Sequence, residues 1–167
     1  MEPLVDRLPE DIDVLARRLL EEACRRHLSL ATAESCTGGL IGAILTDVEG
    51  TSHAFERGFI VYSDEAKAGL LGISRKSIDA EGAVSQPVAL AMAKGALAHS
   101  SADIALAVTG FAGPAGLGDE PGLVHLACIR RGRGIVHREE HFGDRGRSAV
   151  RLAAVKTALQ MMIDALD

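Results

Sequence analysis

"LSLATAESCTGGLIGAILTDV", Leu28 to Val48, decides the fold class, because it reads as a strand, a tight turn and a helix in succession. "LSLATAE" is a short strand candidate, and "CTGGLIGAILTDV" reads as the helix that follows. Ser35 sits at the junction. A serine ahead of a helix is most often an N-cap, accepting a backbone N–H bond. The same position suits a nucleophile, since the first N–H groups of a helix are unpaired and its dipole is positive there, which stabilises an oxyanion. Gly38 and Gly39 would let a substrate come close to the backbone. Cys36 is either a rival nucleophile or a small apolar residue turned into the core. On this motif alone, cap and nucleophile both stay open.

Upstream, "LPEDIDVLARRLLEEACRRH" opens with proline and acidic residues, as helix N-termini do, and Ile12, Leu15, Leu19 and Ala23 recur at helical spacing. Downstream, Phe55 to Tyr62 reads as a strand, and Ser63 caps a short helix, "DEAKAGLLG", closed by Gly72. Ser85 caps a further helix, "VSQPVALAMAKGALAHS", whose small residues suit close packing on a sheet. "ADIALAVTG" is a continuous apolar run, as in a strand buried on both faces. "LVHLACIRRGRGIVHREEHF" reads as a hairpin about the "RRGRG" turn. The last helix carries one apolar stripe, Leu152, Val155, Leu159, Met162 and Leu166, with Asp144 able to cap its start. Five strands and five or six helices, mixed along the chain, indicate a layered α/β fold with an antiparallel hairpin at one side of the sheet.

The 167 residues suit one domain, 1–167, with residues 1–27 as an N-terminal helix packed on it. Apolar content of 47% is enough for an ordinary core, and no stretch reads as low-complexity. Cys24, Cys36 and Cys128 are too irregularly spaced for a zinc motif or a disulfide framework. The acidic opening "MEPLVDRLPEDIDVL" lacks the apolar core of a signal, and no apolar run approaches membrane length. A cytoplasmic protein without a membrane partner is the expectation. A net charge of −5 argues against nonspecific nucleic-acid binding.

A serine hydroxyl needs a base. Lys67, in the first turns of a short helix, is a candidate because the dipole and burial both disfavour its protonated form, while Asp64 and Glu65 oppose them. Tyr62, at the end of the preceding strand, is placed to relay or donate a proton. The bland alternatives are a solvated Lys67 and a Tyr62 filling the sheet edge. The loop "TGFAGPAGLG" follows a buried strand, where open α/β sheets place ligands, and its Thr109, Gly110 and Gly113 could face a phosphate. It has neither a P-loop ending nor a dinucleotide fingerprint. In "GDRGRSAVR", Arg145, Arg147 and Arg151 crowd the end of a helix whose dipole repels cations, which makes sense if an anion such as a phosphate binds there. "HREEH", His137 to His141, matches a zinc-protease pattern that requires a helix. It continues a strand, where residues four apart are separated by about 13 Å, so no metal role follows.

Together, "AESCTGG", "FERGFIVYSDEAK", "GAVSQPVALAMAKGAL", "ADIALAVTGFAGPAG" and "FGDRGRSAVR" resemble, in order and spacing, the CinA C-terminal domain family of nicotinamide-nucleotide amidohydrolases, in its stand-alone form. The resemblance implies a three-layer α/β/α fold with a five-stranded mixed sheet. It implies hydrolysis of the carboxamide of nicotinamide mononucleotide to nicotinic acid mononucleotide and ammonia, in pyridine nucleotide salvage, with no metal or organic cofactor. It assigns the catalytic serine to Ser35, the tyrosine and lysine to Tyr62 and Lys67, and the functional arginine to Arg145. The chain departs from the family pattern at Gly116-Leu117, usually a double glycine, and at "EPGLV", where "KPVGTV" is typical.

The mechanism expected from these residues is attack by Ser35 with neutral Lys67 as base, an oxyanion held by N–H groups of Thr37 to Gly39, and a nicotinoyl-serine ester opened by water. Two other readings stand beside it: a non-catalytic pyridine-nucleotide-binding module, and a Ser/Lys amidase acting on another carboxamide. A homo-oligomer, most simply a dimer, is the expected assembly.

Overall fold

Five strands and six helices succeed one another along residues 8–167, the part of the chain described by the computed structural model. They are α1 (Glu10–Arg25), β1 (Leu30–Glu34), α2 (Leu40–Leu45), β2 (Phe55–Ile60), α3 (Asp64–Leu71) and α4 (Arg75–Glu81). Next come α5 (Gln86–Ala98), β3 (Ile104–Gly110), β4 (Leu123–Arg130), β5 (Ile135–His141) and α6 (Arg147–Asp164). Residues 1–7 of the expected N-terminal appendage, with Glu2 and Asp6 of its acidic opening, lie outside the described residues.

The strands form one sheet in the order β2-β1-β3-β4-β5. β1 runs parallel to both β2 and β3, while β3–β4 and β4–β5 are antiparallel, so the sheet is mixed, as expected. One face is covered by α1, α2 and α6, the other by α3, α4 and α5. This is the three-layer α/β/α arrangement. β1 leads to β2 through α2 on one face, and β2 leads to β3 through three helices on the other. The connections therefore part company beside β1, and open α/β sheets bind ligands at such a switch point, beyond the carboxyl ends of the strands.

Side-chain alternation explains the close packing of α5. On β1, Ala31 and Ala33 face it; on β3, Ala105 and Ala107; on β4, Ala127. All five are fully buried. Small side chains on the sheet meet small ones on α5, and a Cβ on Gly95 would stand only 2.4 Å from the Leu71 carbonyl oxygen. The local caps agree with the sequence: the Ser63 hydroxyl accepts from the Ala66 N–H, Ser85 from Val88, and Gly72 closes α3 in the left-handed region. The α6 stripe holds Val155, Leu159, Met162 and Leu166 buried, with Leu152 at its edge.

Three local expectations change. α4, over "RKSIDAE", is a helix the sequence reading passed over. α6 begins at Arg147 with Gly146 at its cap position, so Asp144 is not its cap. α2 begins only at Leu40, with Gly39 at the cap position in the left-handed region and no side-chain cap bond, so Ser35 is not its cap either.

The capping is done from β1. Glu34 is buried, and its Oε2 accepts from the Thr37 hydroxyl (2.6 Å) and the N–H groups of Gly39 and Ile41 (both 3.1 Å). Its Oε1 accepts from the Gly42 N–H at 2.8 Å. One carboxylate thus serves the unpaired donors of the first helical turn, where negative charge is favoured. The turn that allows this needs Gly39 at φ 95°, where a Cβ would also lie 2.7 Å from Ile60. Glu34→Gln replaces one acceptor oxygen with a donor among these N–H groups. Urea unfolding should show a loss of about 1–3 kcal/mol with an unchanged m-value.

Candidate active site

The parallel strands β1, β2 and β3 end on the same side of the sheet, and their continuations converge there. The Ser35 N–H donates to the Val108 carbonyl (3.0 Å), and the Val61 N–H donates to the Glu34 carbonyl (2.8 Å). Ser35 is thereby pinned between the ends of β2 and β3. Alternation along β1 settles its direction. Glu34 turns toward α2, and Ser35, like Ala31 and Ala33, turns the other way.

Ser35 enters a cavity of about 270 Å³ whose wall includes Tyr62, Lys67, Thr109, Gly110, Gly113 and Arg147. Seven candidate residues are thus gathered from β1, the β2–α3 turn, the end of β3 and its loop, and the start of α6. Ser35 is 8% exposed, so it is reachable only from within the cavity.

Lys67 lies on the buried side of α3 and is 1% exposed. Its Nζ is 3.5 Å from the Tyr62 carbonyl oxygen and 3.8 Å from Asp64 Oδ1. Burial holds its pKa below the ordinary lysine value, against weaker opposing effects of Asp64 and Cys36. A buried lysine so loosely paired gives up its proton more readily than an exposed one, the direction that suits a general base. Tyr62 is 66% exposed at the cavity mouth, and its link to Lys67 runs through the backbone carbonyl rather than the phenol. Cys36 is buried against the α2 side of the core, and burial pushes its thiol up to about 12. It is a neutral thiol at physiological pH and no rival nucleophile.

The turn after Ser35 is more fully occupied than the sequence implies. The Gly38 N–H donates to the Ser35 carbonyl (3.1 Å), and that of Gly39 to Glu34. Thr37 is fully buried with its hydroxyl committed to Glu34, and Thr37, Gly38 and Gly39 do not line the cavity. Only the Cys36 and Thr37 N–H groups of this turn remain without an acceptor among the described residues. The Thr109 hydroxyl donates to the Ala83 carbonyl at 2.8 Å, which fixes the Ala83–Val84 wall against the end of β3.

The arginines sort differently from the family-based expectation. Arg145 is exposed on the segment before α6, its N–H bonded to the Gly143 carbonyl (2.9 Å), and it is not part of the wall. Arg147, two residues on, takes that place. Arg151 Nη2 donates to the Thr37 carbonyl at 2.7 Å and braces the Ser35 turn from α6. The sequence signal for Arg147 was the cationic run itself; for Asp64, Ala83 and Val84 there was none beyond position. His137 belongs to strand β5 and meets His125 at 3.0 Å between ring nitrogens, and no group of three metal-ligating side chains occurs among the described residues.

The family model for the CinA C-terminal domain matches residues 12–166. The nicotinamide-nucleotide amidohydrolase PncC of Escherichia coli (strain K12) is 46% identical over 140 residues, covering 82% of this chain and 84% of that protein. A putative competence-damage inducible protein of Symbiobacterium thermophilum is 52% identical over 118 residues, which cover 70% of this chain but 27% of that longer one. Among solved structures, the competence/damage inducible protein CihA from Agrobacterium tumefaciens superimposes with a TM-score of 0.92 at 47% identity, covering 95% of this chain and 97% of that one. With a matching family model over nearly its whole length and the same fold in its relatives, the chain belongs to the CinA C-terminal domain family.

Proposed function

We propose that this protein hydrolyses the carboxamide of nicotinamide mononucleotide, releasing ammonia and leaving nicotinic acid mononucleotide. The observation that carries the reading is a serine and a buried lysine of lowered pKa in the wall of one cavity. The amidohydrolase named among the relatives supports the substrate class. A module that only binds a nucleotide has no use for a lysine kept out of water in the same cavity wall as a serine hydroxyl.

Neutral Lys67 takes the proton of Ser35 as Oγ attacks the carboxamide carbon. The tetrahedral oxyanion is met by the Cys36 N–H, next to the nucleophile and in the cavity wall, in place of the Gly38 and Gly39 donors that the turn has already used. Collapse breaks the C–N bond, with Lys67 returning its proton to the departing ammonia. Water, deprotonated by the same lysine, then adds to the nicotinoyl-serine ester, and its opening gives the carboxylate and restores the serine. Tyr62, at the mouth, covers the substrate and closes the site against bulk solvent. The reaction belongs to pyridine nucleotide salvage, and the three unpaired cysteines suit a reducing cytoplasm.

Ser35→Ala should lower ammonia release by at least about 1,000-fold while nucleotide binding stays measurable by calorimetry. Full activity in that variant removes Ser35 as nucleophile.

Lys67 gives a second test through pH. Because its base form does the work, kcat/KM should rise with pH and level off above the depressed lysine value. Lys67→Met should be nearly inactive, and a residual rate that keeps the same rise rules Lys67 out as the base. The folded chain also binds fewer protons than the unfolded one between the depressed and the ordinary lysine values. Stability relative to Lys67→Met should therefore rise with pH across that window and be lowest below it, as read from urea unfolding at several pH values.

A further inference from the structure

We propose that Arg147 reads the phosphate of the nucleotide, and so separates a mononucleotide from the riboside that lacks the phosphate; the inference rests on the amidohydrolase reading of the same cavity. Arg147 is the first residue of α6 and lines the cavity with Ser35, Lys67 and Gly113. Its guanidinium lies against the loop backbone. A Cβ on Gly113 would stand 2.6 Å from Nη2 and 3.0 Å from Cζ, so the group occupies the space that the missing side chain leaves.

What sets Arg147 apart is a guanidinium without a partner among the described residues. Most arginines of the protein are tied to carboxylates or to backbone carbonyls, as Arg75 is to Glu65, Arg138 to Asp164 and Arg151 to Thr37. Among the described residues, the guanidinium groups of Arg18, Arg145 and Arg147 donate to no other group, and of these three only Arg147 lines the cavity. The acidic residue of the wall, Asp64, stands beside Lys67 instead, 3.8 Å from its Nζ. The two cations of the cavity are thus divided in task. Lys67 is kept from water with Asp64 beside it, while Arg147 is permanently charged with its planar fork of donors open, the geometry that binds two phosphate oxygens at once.

The test separates binding from chemistry. Nicotinamide mononucleotide and nicotinamide riboside are titrated by calorimetry into the Ser35→Ala protein, with and without Arg147→Ala. Loss of the guanidinium should weaken mononucleotide binding by about 10- to 100-fold and leave riboside binding within about twofold. Arg147→Lys, which keeps the charge and loses the fork, should recover part of the loss. Gly113→Ala, which displaces the guanidinium without removing it, should weaken the mononucleotide in the same direction. Equal weakening of both ligands, or of neither, overturns the proposal. Ammonia release by the wild-type protein is scored separately. Phosphate-selective loss at Arg147 in a protein that releases no ammonia leaves this inference standing and removes the amidohydrolase reading. Release of ammonia with an Arg147 blind to phosphate does the reverse.

Discussion

A buried carboxylate holds the active end of this protein together. Glu34 collects the donors of the Thr37–Gly42 turn onto its two oxygens, and that turn can close around it only because Gly38 and Gly39 both take positive φ. An unpaired carboxylate in this position would cost several kcal/mol, so the four donors of the turn, joined by the Thr32 hydroxyl at 3.4 Å, are obligatory. Once the turn is tied to Glu34, Ser35 has no role left in capping and is free to face the opposite side of the sheet. Arg151 adds a brace from α6 at the Thr37 carbonyl, so the turn is held from β1 and from α6 together.

The two faces of the sheet divide the work. On the α1/α2/α6 face the large aliphatic residues and the buried Glu34 network give a rigid support. On the other face β1 and β3 carry alanines, α5 comes close, and α3 brings Lys67 to the same end of the sheet as Ser35. Burying a lysine carries a stability penalty whenever it is charged, and that penalty disfavours the protonated form of Lys67, as the proposed base role requires. Ser35 and Lys67 thus stand on the face where the sheet carries small residues, backed by the large aliphatic residues of the other face.

Most of the fold was legible because its signals are local. The apolar run of β3, the Ser63 and Ser85 caps, the Gly72 stop and the stripe of α6 each depend on residues a few positions apart. The site was legible as residue types, Ser35, Tyr62 and Lys67, and less so as roles. Ser35 looked like a cap because the capping rule inspects only the residues flanking a helix, whereas the true cap reaches back from inside a strand across two left-handed glycines. Arg145, assigned by resemblance, lies outside the cavity wall and Arg147 within it, because position in the chain says nothing about where α6 starts. That start is fixed by a distant contact: the Phe142 N–H donates to the Gly122 carbonyl, tying the segment before α6 to the loop after β3. The N–H groups of Gly38 and Gly39 were counted as available because their acceptors, Ser35 and Glu34, become apparent only when the turn is folded.

The opposed orientations of Glu34 and Ser35 on β1 carry a consequence for how this chain can vary over evolutionary time. Strand side chains alternate with a period of two, so inserting or deleting a single residue within β1 would exchange the two faces. The carboxylate would then be delivered to the cavity and the hydroxyl to the inside of the α2 turn, so the turn would lose its acceptor and the cavity its serine in one step. β1 can therefore drift by substitution but is closed to changes of length. The mostly exposed part of the loop after β3, residues 115–120 beyond the cavity wall, and the turn between β4 and β5 lie under no such parity, and length changes there cost mainly loop-closure entropy. Differences in length among relatives should gather in those two connections.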